Sequence, residues 1–170
     1  MSSETITTAL LLITAVIAAG VLISAVYPVV YTMAGTFSST THASDVRMRT
    51  DFKVISTVAS GSTARVWMKN VGSEPVPYAE IQRSDVFCGA SGDFERLAYS
   101  AAGPSSLSSG EWSEDFLDPA YDLNGNRMWD TGETVKITAE TDLIPAFGQQ
   151  VYFQFSLPSG VWRTGEFTVS

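Results

Sequence analysis

Apolar and polar residues are arranged differently in two parts of the chain. From residue 1 to residue 44 the only formally charged side chain is Glu4, and Thr5 to Ser44 runs uncharged. A helix of that length, at about 1.5 Å per residue, reaches roughly 60 Å, about twice the hydrocarbon thickness of a bilayer. Ile6 to Val26 is apolar enough to span with little to spare, whereas Val29 to Ser44 fades through Tyr31, Gly35 and a Ser/Thr run. Lipid therefore accounts for the first stretch only. A helix over the second has to pack against protein.

From Asp51 onward the helical signals give way to alternation with a period of two. Phe52 to Val58 and Ala64 to Met68 alternate apolar and polar residues around Gly61-Ser62, which predicts a hairpin. Further strands are predicted over Ala79 to Phe87, Phe94 to Tyr99, Thr134 to Thr138, Val151 to Leu157 and Glu166 to Val169. In the Val151 strand, Val151, Phe153 and Phe155 share one face while Tyr152, Gln154 and Ser156 share the other, the pattern of a strand with one face buried. Seven or eight short strands in one domain predict an immunoglobulin-like β-sandwich. The expected organisation is a hydrophobic helix and stalk over residues 1–45, then an all-β domain over residues 46–170. At about 125 residues, the second part suffices for one core and not for two.

Charge narrows the partners. The chain has 18 acidic and 10 basic residues, a net charge of −8, nearly all of it in the β domain. Such a surface does not bind a nucleic-acid backbone or an anionic membrane. Cys88, the one cysteine, lies in the apolar run Val86-Phe87-Cys88, which reads as a buried inert thiol and rules out an intramolecular disulfide. Trp67, Trp112, Trp129 and Trp162 are expected at the core or its edge, with a sugar-stacking platform as the competing use. Pro104 to Gly110 reads as an ordinary polar loop, and no N-glycosylation sequon occurs.

Three readings compete for the N-terminal segment. A cleaved signal needs a basic leader and a shorter apolar core, but no Lys or Arg precedes Arg47. A plain anchor explains Ile6 to Val26 and allows Pro28 at the point where the helix leaves the bilayer. Helix-to-helix assembly is favoured by small residues at four-residue spacing, Ala15 with Ala19 and Gly20 with Ser24, and by Glu4 at the start. Arg47, Arg49 and Lys53 after the span lean toward a cytoplasmic β domain by the positive-inside rule.

The sharpest local motif runs from Asp122 to Glu133. Asp122, Asn124, Asn126, Asp130 and Glu133 offer side-chain oxygens at loop positions 1, 3, 5, 9 and 12, with the Met128 carbonyl at 7, the ligand spacing of a calcium loop. Arg127 occupies position 6, where an EF-hand requires Gly, and no flanking helices are predicted. The alternative is two successive turns, at Asn124-Gly125 and Asp130 to Gly132, leading into a strand. Catalysis finds no support: His42 is the only histidine, and no zinc cluster, phosphate loop or triad can be assembled. No cofactor other than calcium, and no small-molecule substrate, is expected.

The uncharged opening leading into RMRTDFKVI, then VWMKNVGSEPV, WDTGETVKI and the closing SGVWRTGEFTVS resemble the archaellum-associated FlaG family, relatives of the archaellins. The likeness runs over essentially the whole chain. Archaellins carry a short basic leader, so its absence here predicts that the chain keeps its own N-terminus. Glu4 resembles the acidic residue near the mature N-terminus of type IV pilins. The resemblance implies a non-enzymatic, membrane-anchored component of the archaeal motility machine, with its β domain extracytoplasmic and in contact with like subunits, FlaF-like protein or the surface layer. That implication outweighs the charge bias noted above. A stator or accessory filament is the expected role. An archaellin or pilin-like filament subunit is the alternative, and a calcium-responsive binding module on a simple anchor a third.

Overall fold

The structure, a computed structural model, describes residues 3–116 and 121–170. Helix α1, Ser3–Arg49, has 47 residues and runs on through Pro28, so it rises about 70 Å. The proline therefore does not end the helix. The chain forms two compact units, one through Ser44 and one from Asp45 to Ser170.

In the first unit every described side chain from Ser3 to Ser44 is exposed. The large apolar side chains Ile6, Leu10, Ile13, Ile17 and Val21 are among those exposed.

Among its described residues the second unit has ten strands and one short helix: β1 Phe52–Ser60, β2 Thr63–Asn70, β3 Val76–Pro77, α2 Tyr78–Gln82, β4 Asp85–Ala90, β5 Asp93–Tyr99, β6 Glu111–Glu114, β7 Met128–Trp129, β8 Thr134–Glu140, β9 Gln150–Ser156 and β10 Trp162–Thr168. Eight of them form one sheet in the order β1-β2-β8-β6-β5-β4-β9-β10, and β3 pairs with β7. The antiparallel halves β1-β2-β8-β6 and β5-β4-β9-β10 meet at a short parallel seam, where Ala98 faces Glu111 and Tyr99 faces Trp112. At the other end β1 lies against β10, and the Ser170 N–H donates to the Ala59 carbonyl at 3.0 Å. The sheet thus folds on itself as a β-sandwich. Its inner faces bury Val66, Met68, Val86, Ile137, Val151 and Phe153, among others.

An aromatic line crosses that core. Phe52 contacts Trp129 and Phe155 at centroid distances of 5.6 and 5.5 Å, and Trp112 contacts Phe155 at 6.2 Å. Each such side chain contributes roughly 1.5–3 kcal/mol through burial. Trp112 and Trp129 are core residues and Trp67 is half-buried, while Trp162 is 52% exposed on the outer face of β10.

Two expectations need correction. The strand predicted over Ala79 to Phe87 is helical in its first half. Pro77, at φ −60°, presets the turn and Ile81 is its buried anchor; the strand begins only at Asp85. Strand β6 and the β3–β7 ribbon were not expected, because four-residue and two-residue strands carry too little alternation to register. Cys88 is buried in β4 as expected, its thiol pushed up to about 12 by burial.

Candidate functional site

Helix α1 carries its polar groups in a form that an apolar environment tolerates. The hydroxyls of Thr7, Thr8, Thr14, Thr32 and Thr36 each donate to the carbonyl four residues back, at 2.8 to 2.9 Å. A hydroxyl satisfied by its own helix removes most of the penalty for leaving water. Tyr27 and Tyr31 pair one turn apart, with centroids at 4.8 Å and hydroxyls at 3.0 Å. Glu4 is exposed in the first turn, where a carboxylate complements the helix dipole. Ala15, Ala19, Gly20 and Ser24 are all exposed. At 3.6 residues per turn, Ala15 and Ala19 form one stripe, and Gly20 and Ser24 another roughly 140° around the helix. A Cβ added at Gly20 would meet nothing within 4 Å. The four small residues therefore make two close-approach stripes rather than one.

At the start of the second unit, the last turn of α1 is gripped by the turn after β2. The N–H groups of Val71 and Gly72 donate to the Asp51 carbonyl at 2.9 and 2.8 Å, and those of Ser73 and Glu74 to the Arg49 carbonyl at 2.9 and 3.2 Å. Carbonyls at a helix end have no partner within the helix, so this turn supplies one. Asn70, 1% exposed, organises it. Its side-chain oxygen accepts from the Gly72 N–H at 2.9 Å, and its amide donates to the carbonyls of Trp129 at 2.7 Å and Glu74 at 3.2 Å. Gly72 is needed for close approach: a Cβ there would lie 2.4 Å from the Arg49 carbonyl oxygen. Thr131 braces the turn from the other side, its hydroxyl donating to the Gly72 carbonyl at 2.6 Å. Arg163 on β10 pairs with Asp51 and lies 5.9 Å from the Phe52 ring.

The sequence segments RMRTDF, KNVG, WDTGE and VWRTG thus meet at one place. Sequence reasoning singled out those segments and did not foresee that they form one clamp. The residues that build it, Asn70, Gly72, Thr131 and Arg163, were not singled out individually.

The loop from Asp122 to Glu133 adjoins the clamp. The two carboxylate oxygens of Asp122 accept from the N–H groups of Gly125 at 2.8 Å and Arg127 at 3.1 Å. Glu133 accepts from Leu123 and Asp130, both at 2.9 Å. Asn124 and Asn126 accept from the N–H groups two residues ahead, and their amides both donate to Asp130 at 2.8 Å. Arg127 has φ 60°, so it adopts the left-handed backbone that Gly supplies at this place in an EF-hand. Met128 pairs with Pro77 in the β3–β7 ribbon. Asp122, Asn124, Asn126, Asp130 and Glu133 lie in one loop, and their side-chain oxygens are engaged by backbone and amide donors. Among the described residues no group of three or more His, Cys, Asp or Glu side chains is placed to hold a metal. The arrangement is that of successive Asx turns, and among the described residues no helix flanks it.

A sequence model described as archaeal-type flagellin matches residues 2–167. The chain belongs to the archaeal-type flagellin family. An uncharacterized protein of Archaeoglobus fulgidus is 26% identical over 145 residues, covering 82% of each chain. Among solved structures, the archaellum periplasmic stator protein FlaG of Sulfolobus acidocaldarius matches with a TM-score of 0.53 at 22% identity, over 69% of this chain and 99% of that one. A filament structure, the archaeal flagellum of Methanospirillum hungatei, matches with a TM-score of 0.63 at 13% identity, over 97% of this chain and 93% of that one. Both likenesses are of fold, and the one to the filament structure extends over nearly the whole of this chain.

Proposed function

We propose that this archaeal-type flagellin family member is a non-enzymatic structural component of the archaellum machinery, a membrane-anchored stator or accessory filament protein. Its β-sandwich would lie outside the cytoplasmic membrane, against a FlaF-like partner or the surface layer; a FlaF–FlaG complex of Sulfolobus acidocaldarius is among the structures of similar fold. The observation that carries the reading is helix α1: uncharged from Thr5 to Ser44, apolar, about 70 Å long, with every described side chain from Ser3 to Ser44 exposed. A bilayer takes about 30 Å of it. The remainder has to pack on neighbouring helices, and an assembly of such helices is a short filament. A rotating filament needs a stationary element fixed to the envelope, otherwise torque turns the motor housing as readily as the filament.

The whole-length likeness to the Methanospirillum hungatei filament favours a second reading, a subunit of the filament itself. Deleting the gene in its own host separates the two. Filaments that remain but do not propel the cell mean a stator; loss of filaments means a subunit. Assembly through α1 is tested in common by electron microscopy of the full-length protein after detergent removal, comparing wild type with Gly20→Leu. Because a Cβ at Gly20 meets nothing within 4 Å, the substitution is expected to leave the fold and membrane insertion intact and to abolish ordered fibres. Normal fibres from Gly20→Leu would refute packing along this stripe.

A further inference from the structure

The outer face of the β1–β2 hairpin carries an unusual set of side chains for so acidic a protein. Lys53 and Lys69 are directly opposite each other in the strand register, and Arg65 is opposite Val58 on the same face. All three basic residues are exposed, and among the described residues none has an ion-pair partner. Like charges directly across a strand pair are destabilising. Between them lie Ile55, 55% exposed, and Val58, 38% exposed. The register slips between Val54 and Ser56, so Ile55 and Ser56 together oppose Trp67. Such a bulge turns both residues to one face. The result is a small apolar centre with an unpaired basic rim, the anatomy of a protein interface.

We infer that this face docks onto an acidic surface of a second copy of the chain. The inference rests on the assembly reading above and adds the surface through which the β domains meet. The argument is charge complementarity. Copies of net charge −8 repel one another when packed side by side. Contacts between them are favoured where the few basic residues lie at the touching surface, and in the β1–β2 hairpin three of the ten stand together with no ion-pair partner among the described residues. The cross-strand repulsion of Lys53 and Lys69 is relieved when a neighbour's carboxylate lies between them.

The test uses full-length protein assembled into fibres from an equal mixture of 14N- and 15N-labelled chains, treated with a carbodiimide, which joins amines to carboxylates in direct contact. Mass spectrometry is expected to find Lys53 or Lys69 joined to an Asp or Glu of the other isotope in fibres, and not in dispersed protein. Fibres without such links overturn the inference while leaving assembly through α1 standing; failure of wild type to form fibres overturns the assembly reading itself. Lys53→Glu separates docking from folding, because it places Glu opposite Lys69 and turns a repulsive pair into an attractive one. Its melting temperature is expected to equal or exceed that of wild type while the isotope-crossed links at Lys69 fall at least tenfold. Unchanged links at Lys69 refute the proposal.

Discussion

Replacing Gly72 with Ala probes how closely the turn after β2 grips the end of α1. A Cβ at residue 72 would lie 2.4 Å from the Arg49 carbonyl oxygen, 2.5 Å from the Asp51 nitrogen and 3.1 Å from the Thr50 carbonyl carbon. All three are backbone atoms, so no side chain can rotate away. Ordinary contact begins near 3.4 Å, which requires a displacement of about 1 Å between the turn and the helix end. Four N–H to carbonyl bonds of 2.8 to 3.2 Å cross that gap, and a shift of this size breaks one or two of them. Overpacking costs about 1–3 kcal/mol, and each lost bond adds about 1 kcal/mol. The expected destabilisation is roughly 2–5 kcal/mol, or at least about 8 °C in melting temperature for a domain of this size. Thermal unfolding of the full-length protein in detergent, followed by near-ultraviolet circular dichroism of the tryptophans, reads the change. Gly165→Ala is the control, since the nearest atoms to its Cβ are the Val54 methyls at 3.9 Å, and Ala in a strand is at least as stable as Gly. A Gly72→Ala protein that melts within 2 °C of wild type (a change of about 0.5 kcal/mol) would refute the clamp.

Glu133→Ala is expected to cost about 3 kcal/mol, measured by urea denaturation, because it leaves the N–H groups of Leu123 and Asp130 without their acceptor. Since hydrogen-bond donors engage the loop carboxylates, a chelator should leave the melting temperature of wild type unchanged, and a drop of several degrees would establish a bound cation instead. Cys88 gives a pH signature. Burial, with a smaller push from the Glu95 carboxylate and opposed by the Gly89 N–H, raises its thiol from 9.0 to about 12. Between those values the unfolded chain releases a proton that the folded chain keeps, so stability falls as pH rises, by about 1.4 kcal/mol per pH unit. Comparing wild type with Cys88→Ala between pH 9 and pH 11 isolates this contribution, and equal slopes would refute it.

The legible parts of the fold were those where burial imposes a period. Helix α1 announced itself by an uncharged run that no water-exposed helix needs, and β1, β2 and β9 by alternation against the core. Strand β6 was not legible, because Glu111–Glu114 has one apolar residue, Trp112, and buries a carboxylate at Glu114 that the Tyr99 hydroxyl holds at 3.2 Å. Helix α2 was hidden for a related reason: a five-residue helix needs only one buried side chain, Ile81, and leaves no pattern. The clamp escaped because its parts, Arg49 to Asp51, Asn70 to Glu74, Thr131 and Arg163, are scattered over more than a hundred positions. They were visible only as motifs without an evident reason, and a motif such as KNVG gains one once Asn70 is seen to hold three backbone groups at a helix end.

The Asp122 to Glu133 loop shows why spacing alone did not decide between a cation and a self-capped turn. A calcium loop works by pointing alternate side-chain oxygens at one centre while the backbone wraps round it. The same alternation lets each oxygen reach a backbone N–H two or three residues ahead, as Asn124 and Asn126 do. What separates the two is whether the oxygens converge on a common point or on separate donors. Here Asp122 serves Gly125 and Arg127, Glu133 serves Leu123 and Asp130, and the two amides fill the space in front of Asp130. Asn at positions 3 and 5 brings donors as well as acceptors, and in this structure both amides bond to the Asp130 carboxylate. The loop then has a mechanical use. Through Thr131, Gly132 and Trp129 it bonds to Gly72 and Asn70, so its rigidity is delivered to the turn that holds the end of α1.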